Sequence, residues 1–157
     1  MNRSRSRESD VRQNALRERL LEQLQQLAEE RNRLLEELYR HGDKERKEME
    51  ALADKYTECL KSFISRPASY EQPIVLIGSR IEVEYLEYRT TDSLIIVFPQ
   101  EADPENGRIS FLSPVGSQLL MAPLHAVISI STPAGSMQVR VTRIEYEAED
   151  APAPEQL

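Results

Sequence analysis

The spacing of apolar residues changes once along this chain, and that change constrains the fold more than any other feature. In the first half, apolar residues return at alternating intervals of four and three. Leu20, Leu24, Leu27, Arg31, Leu34 and Leu38 line one helical seam, with Leu16 extending it backwards and Leu21 and Leu35 widening it. Arg31 is the one charged seam residue, and its stem is expected to lie along apolar surface with its head in water. Ser9 or Asp10 is the expected N-cap. The pattern breaks at His41-Gly42-Asp43, where Gly42 permits the left-handed conformation that ends a helix and Asp43 can cap the next. A second seam follows through Met49, Leu52, Tyr56, Cys59 and Phe63. Two amphipathic helices joined by so short a turn must run antiparallel. Residues 1–66 therefore read as a helical hairpin of coiled-coil type, with 1–9 as a disordered leader.

Pro67 ends the second helix, because the residue before proline avoids helical angles. Residues 67–73 read as a linker, and beyond them the period becomes two. Ile81, Val83 and Tyr85 alternate with Arg80, Glu82 and Glu84, which predicts a half-buried strand over 80–87. Further strands are predicted at 93–98, 108–112, 127–131 and 137–146. Turns are signalled by Thr90-Thr91-Asp92, by Asp103 to Gly107, and by Thr132-Pro133-Ala134-Gly135. A short helix is predicted from Pro114 to Met121, with Ser113 as its N-cap and Pro114 at its first position. Residues 74–146 thus form a small strand-rich domain with one helix, and the fold class is α+β. The tail, 147–157, is acidic and proline-containing and reads as disordered.

Charge is divided unevenly between the halves. Residues 1–66 carry 15 Lys and Arg against 14 Asp and Glu, whereas residues 67–157 carry 5 against 13. A second half at −8 would repel a phosphate backbone, so any nucleic-acid contact has to come from the first half, where Arg3 to Arg7 is the basic run. No apolar stretch approaches the roughly 20 residues needed to span a bilayer. The opening 20 residues carry no apolar core of the kind a secretory signal has. Cys59 is the only cysteine, which rules out an internal disulfide framework. The expected compartment is the cytoplasm.

The run RISFLSPVGSQLL and the later ISTPAGSMQVRVTRIEY resemble the Gre family of bacterial RNA polymerase factors. That family carries I-S-x-x-S-P-x-x-x-x-L and then T-P-x-G before its last strand. Here these are Ile109-Ser110, Ser113-Pro114, Leu119 and Thr132-Pro133-Ala134-Gly135. Glu101 to Gly107 and Ile77 to Tyr85 add to the resemblance, which covers most of 74–146. His41-Gly42-Asp43-Lys44-Glu45 is similar to the H-G-D-x-K-E tip of transcript-cleavage factors. The resemblance implies an FKBP-like C-terminal domain that docks at the polymerase secondary channel through Ser113, Pro114 and Val115. It implies a hairpin whose tip enters the channel, where carboxylates help hold a second Mg²⁺ shared with the polymerase. Mg²⁺ takes oxygen ligands and keeps several waters, which is why carboxylates are called for.

Three departures from the family pattern bear on that function. The tip is one residue short, so Asp43 and Glu45 stand two apart where the family has three. On a helix such positions diverge by about 200° at roughly 100° per residue, and Arg46 falls where the second carboxylate would otherwise be. The arm is also shorter, which resembles the branch named for regulation of nucleoside diphosphate kinase, whose members bind polymerase without needing to cleave. Met121 and His125-Ala126 stand where the family has glycine and a Gly-Asp turn, so a different loop is expected there. Asp43 serves equally well as a helix cap, Cys59 as a packing residue, and neither His41 nor His125 has a partner at metal-ligand spacing.

These features lead to one expectation and two alternatives. The expectation is a monomeric, non-enzymatic regulator of bacterial RNA polymerase, with no cofactor of its own and RNA contact only through the polymerase complex. One alternative is a cleavage-stimulating elongation factor with Asp43 and Glu45 as the catalytic and metal-holding pair. The other is a coiled-coil dimeric scaffold.

Overall fold

The computed structural model describes residues 3–37, 43–65 and 73–146. The expected linker, the turn residues His41 and Gly42, and the expected acidic tail lie outside them, apart from Pro73 at the linker's end. Two compact units divide the chain, Met1–Glu71 and Gln72–Leu157.

The first unit contains α1 (Arg3–Glu37) and α2 (Asp43–Ser65). Their pairing is antiparallel. Tyr56 Oη donates to Gln23 Oε1 at 2.5 Å, while Arg31, further along α1, meets Glu50 and Asp54, further back along α2. From α1 the buried residues are Leu20, Leu27, Leu34 and Leu35, and from α2 they are Met49, Ala53, Tyr56 and Leu60. The second seam is therefore displaced from its expected course. Ala53 and Leu60 are buried where Leu52 and Cys59 had been expected, and those two are only half-buried. Both courses satisfy a three-four spacing from Met49. A small Ala53 at the interface lets the helix backbones approach.

Two other expectations for this unit are corrected. Arg31 does not simply send its head into water. Its Nη2 lies 3.2 Å from Asp54 and 3.7 Å from Glu50, one turn apart on α2, with its side chain 31% exposed. Its Nε is enclosed without a hydrogen-bond partner, so the ion pairs offset a burial cost and add at most about 1 kcal/mol net. In addition, α1 runs back through Ser9 and Asp10 to Arg3, so neither residue caps it, and residues 3–9 are helical where a disordered leader had been expected. A helix already nucleated gains one hydrogen bond for each further residue, which favours extension through Arg- and Glu-bearing sequence.

The second unit is a five-stranded half-barrel in the order β3-β2-β1-β5-β4. Its strands are β1 (Ser79–Tyr85), β2 (Thr90–Val97), β3 (Arg108–Ser110), β4 (Val127–Thr132) and β5 (Gly135–Tyr146), with α3 at Pro114–Leu119. All neighbours are antiparallel except β2 and β3. Alternation buries Ile81, Val83, Leu94, Ile96, Val139 and Val141 on one face. On the other face β1 and β5 oppose Arg80 with Glu145, Glu82 with Arg143 and Glu84 with Arg140. Every such pair is unlike in sign, so the charges favour the same register as the apolar face. A bulge between Glu82 and Val83 shifts the pairing with β5, and Thr142 Oγ1 donates to the Glu82 carbonyl at 3.2 Å there.

The ends of the barrel are tied by side chains. Tyr146 Oη accepts from Ile74 N–H at 3.0 Å and donates to Ile74 O at 2.9 Å, fastening the last strand to the segment before β1. Buried Ser79 accepts from Leu76 N–H at 2.8 Å. Phe98 and Phe111 meet edge to face at 5.8 Å. One turn sits elsewhere than expected: Thr90 and Thr91 belong to β2, and the chain reverses at 86–89, with Arg89 at φ 53°. Tyr85 Oη lies 3.2 Å from Asp92 Oδ2; burial first, and the Asp92 charge second, hold its ionisation above the ordinary tyrosine range. It stays a protonated donor at neutral pH.

The displaced seam is tested by truncation. Leu60→Ala is expected to cost about 2–5 kcal/mol, and Leu52→Ala about 1 kcal/mol or less. Urea unfolding followed by helical circular dichroism measures both, and equal losses would contradict the seam described here.

Candidate functional site

The loop from Ser110 to Gln118 is built around one serine. Ser113 has extended backbone angles, φ −69° and ψ 160°, and caps α3 by accepting from Gly116 N–H at 3.0 Å. The same hydroxyl donates to Ser110 O at 2.8 Å. Ser113 N–H also reaches Ser110 O at 3.0 Å, and Ser110 Oγ accepts from Leu112 N–H at 3.0 Å. Pro114 takes the first helical position, where a missing N–H costs nothing.

This geometry gives the three sequence-predicted residues different positions. The Ser113 hydroxyl is committed to the loop itself, as donor and as acceptor. Pro114 is exposed and Val115 half-buried, so apolar surface is what the loop offers outward. Two residues that sequence reasoning did not single out hold this arrangement. A Cβ on Gly116 would lie 2.1 Å from the Ser110 carbonyl oxygen, so the approach of α3 to the end of β3 requires glycine. Gln118 Nε2 donates to Pro114 O at 2.7 Å and to Ser131 O at 2.9 Å, while Ser131 N–H donates to Gln118 Oε1 at 3.0 Å. No spacing rule marks a helical glutamine as a bridge to a strand that follows in the chain.

The segment after α3 keeps left-handed backbone without glycine. Met121 has φ 71° and His125 φ 73°. Each is held by a main-chain bond, Met121 N–H to Val75 O and His125 N–H to Val141 O, both 2.7 Å. Met121 and His125 thus make turns that glycine would favour, at about 1–2 kcal/mol per residue of steric cost.

At the other candidate site, α2 begins at Asp43 and already contains Glu45 and Arg46. Glu45 is exposed and Arg46 half-buried; the side chain of Asp43 lies outside the described residues. Successive positions i and i+2 on a helix point about 200° apart, so the backbone does not turn these two positions toward a common point. Among the described residues no group of three or more His, Cys, Asp or Glu is placed to hold a metal ion. No described helix is long and apolar enough to cross a membrane.

Comparison with known proteins gives concordant matches. Residues 71–146 match the family model described as the C-terminal part of transcription elongation factor GreA/GreB. Transcription elongation factor GreA of Thermodesulfovibrio yellowstonii is 28% identical over 87 residues, 55% of each chain. GreA of Desulfovibrio desulfuricans is 32% identical over 73 residues, 46% of this chain and 45% of that one. The chain spans about half the length of these curated relatives in the aligned regions. Among solved structures, GreA factor homolog 1 of Thermus thermophilus is similar at 28% identity and a TM-score of 0.44, over 82% of this chain and 94% of that one.

Substitution at the loop tests its construction. Ser113→Ala is expected to cost about 1–2 kcal/mol through the lost cap. Gly116→Ala is expected to cost more, about 2 kcal/mol or above, because the obstructing atom is backbone. Chemical denaturation of the two variants gives the order, and a Gly116→Ala variant as stable as the parent would refute the close approach.

Proposed function

We propose that this chain, whose residues 71–146 match the GreA/GreB C-terminal family model, is a regulator of bacterial RNA polymerase that acts at the secondary channel. The carrying observation is the family domain itself, with its Ser113-capped loop presenting Pro114 and Val115. In this reading Pro114 and Val115 contact the polymerase, Ser113 shapes the loop, and the hairpin tip enters the channel.

The chain acts as a modulator and not as an enzyme in its own right. Asp43 and Glu45 stand two positions apart within one helix, with Arg46 beside them. Positions two apart on a helix diverge by about 200°, and with a guanidinium next in sequence they suit a shared Mg²⁺ poorly, since Mg²⁺ needs oxygen ligands converging on one octahedron. Occupation of the channel is therefore the favoured mode, with cleavage of backtracked RNA the alternative. RNA is met only within the polymerase complex, and the working compartment is the cytoplasm. A monomer is favoured because the apolar seams bury one another within a single chain, at Leu27 and Leu34 on α1 and at Tyr56 and Leu60 on α2.

Two assays with the same preparation test the reading. The chain is expected to bind core polymerase and to leave backtracked RNA unshortened, with no change in Asp43→Ala combined with Glu45→Ala. Binding accompanied by cleavage that this double variant abolishes would replace the channel-occupying mode with a cleavage factor. A folded chain that fails to bind core polymerase would sink the proposal.

A further inference from the structure

Gln118 makes three hydrogen bonds with one carboxamide, and all three go to main chain. Two of them join it to a single residue, Ser131, whose N–H and C=O are both engaged. That two-point pattern is the one a residue on a neighbouring antiparallel strand makes. The carboxamide thus stands in for a peptide group beside β4, which is the last strand on its side of the sheet. The third bond runs back to the carbonyl of Pro114, 2.7 Å away, at the first position of the same helix. One side chain therefore links the presented turn of α3 to the sheet edge.

We propose that Gln118 is a positioning residue: its carboxamide clamps Pro114 to Ser131 and so fixes the surface that Pro114 and Val115 offer to the polymerase. The inference rests on the polymerase-binding reading above. Its physical basis is the shortness of α3. Six residues make fewer than two turns, too few for a helix to hold its own shape in water, so the ends need outside anchors. Ser113 anchors the start to β3 through Ser110. Gln118 anchors the same turn to the opposite edge of the sheet. With the second anchor removed, Pro114 keeps its ring but not its fixed position, and binding has to restore the order it has lost.

The test uses the full chain in three forms: the parent, Gln118→Ala and Gln118→Met, the last preserving side-chain length without polar atoms. Amide hydrogen exchange on the free protein reads the clamp directly. Faster exchange at Ser131 in both variants is expected, and unchanged exchange there overturns the clamp whatever the polymerase does. Titration against core polymerase reads the consequence. Both variants are expected to bind about tenfold more weakly, because binding must re-order the loosened turn, and to melt only several degrees below the parent, still folded at the titration temperature. Gln118→Met binding as tightly as the parent would show that only the stem matters and refute the proposal.

Pro114→Ala completes a double-mutant cycle with Gln118→Ala. If Gln118 acts by holding Pro114, the second loss adds little to the first; fully additive losses refute positioning through Pro114. A parent chain that does not bind polymerase removes the functional reading, while the exchange result still decides whether the clamp exists.

Discussion

The approach of Gly116 to the carbonyl of Ser110 is the constraint on which the C-terminal unit depends. With no side chain at 116, the first turn of α3 settles directly onto the end of β3. That placement puts Gly116 N–H within reach of the Ser113 hydroxyl, which in turn reaches Ser110. It also directs α3 across the sheet from the β3 edge to the β4 edge, where Gln118 finds Ser131. Leu119 and Leu120 then enter the core at the end of the same helix, and Phe111 enters it just before. A larger residue at 116 would lift the helix, and with it the cap, the bridge and part of the apolar filling.

The helical unit rests on a different balance. Its seam is narrow, and one of its layers is an arginine facing two carboxylates across the hairpin. Such a layer contributes little to stability, because taking a guanidinium partly out of water costs about what its partners return. Its consequence is specificity of pairing: Arg31 has carboxylates to meet on α2 at Glu50 and Asp54, and a helix slid along its partner would leave the charge without them. Apolar layers above and below, at Leu27 and Leu34, supply the attraction.

Much of this architecture was legible in the sequence. The change of period separates a helical half from a stranded half because 3.6 and 2 are the only repeats that present one face of each element to a core. Ser113-Pro114 announces α3, since a cap followed by a residue lacking N–H suits no other local structure so well. Other features were hidden for identifiable reasons. Met49 and Tyr56 belong to two possible seams, and which one is buried depends on how α1 faces α2. The Thr90-Thr91-Asp92 run resembles a turn by composition, yet β-branched threonines pack well on a strand, and the reversal falls to Leu86–Arg89, where no glycine or proline marks it. Of the candidate site, the serine cap was readable from its neighbours in the chain. Gly116 and Gln118 were not, because what makes each necessary is an atom brought near by the fold: the Ser110 oxygen in one case, the Ser131 peptide in the other.

The bridge at Ser131 bears on how this domain behaves when crowded. An open sheet has two borders, and each exposes main-chain donors and acceptors that a foreign strand can recruit. Here one border, β3, is only three residues long and offers little length for recruitment. The other, β4, is six residues long, and an intramolecular glutamine already occupies the donor and acceptor of its fifth residue. A growing fibril or a second molecule would have to expel that side chain before laying a strand along β4. The domain thereby discourages runaway sheet extension with a polar side chain, and β4 itself, Val127–Thr132, contains neither the proline nor the lysine that other proteins place on such borders.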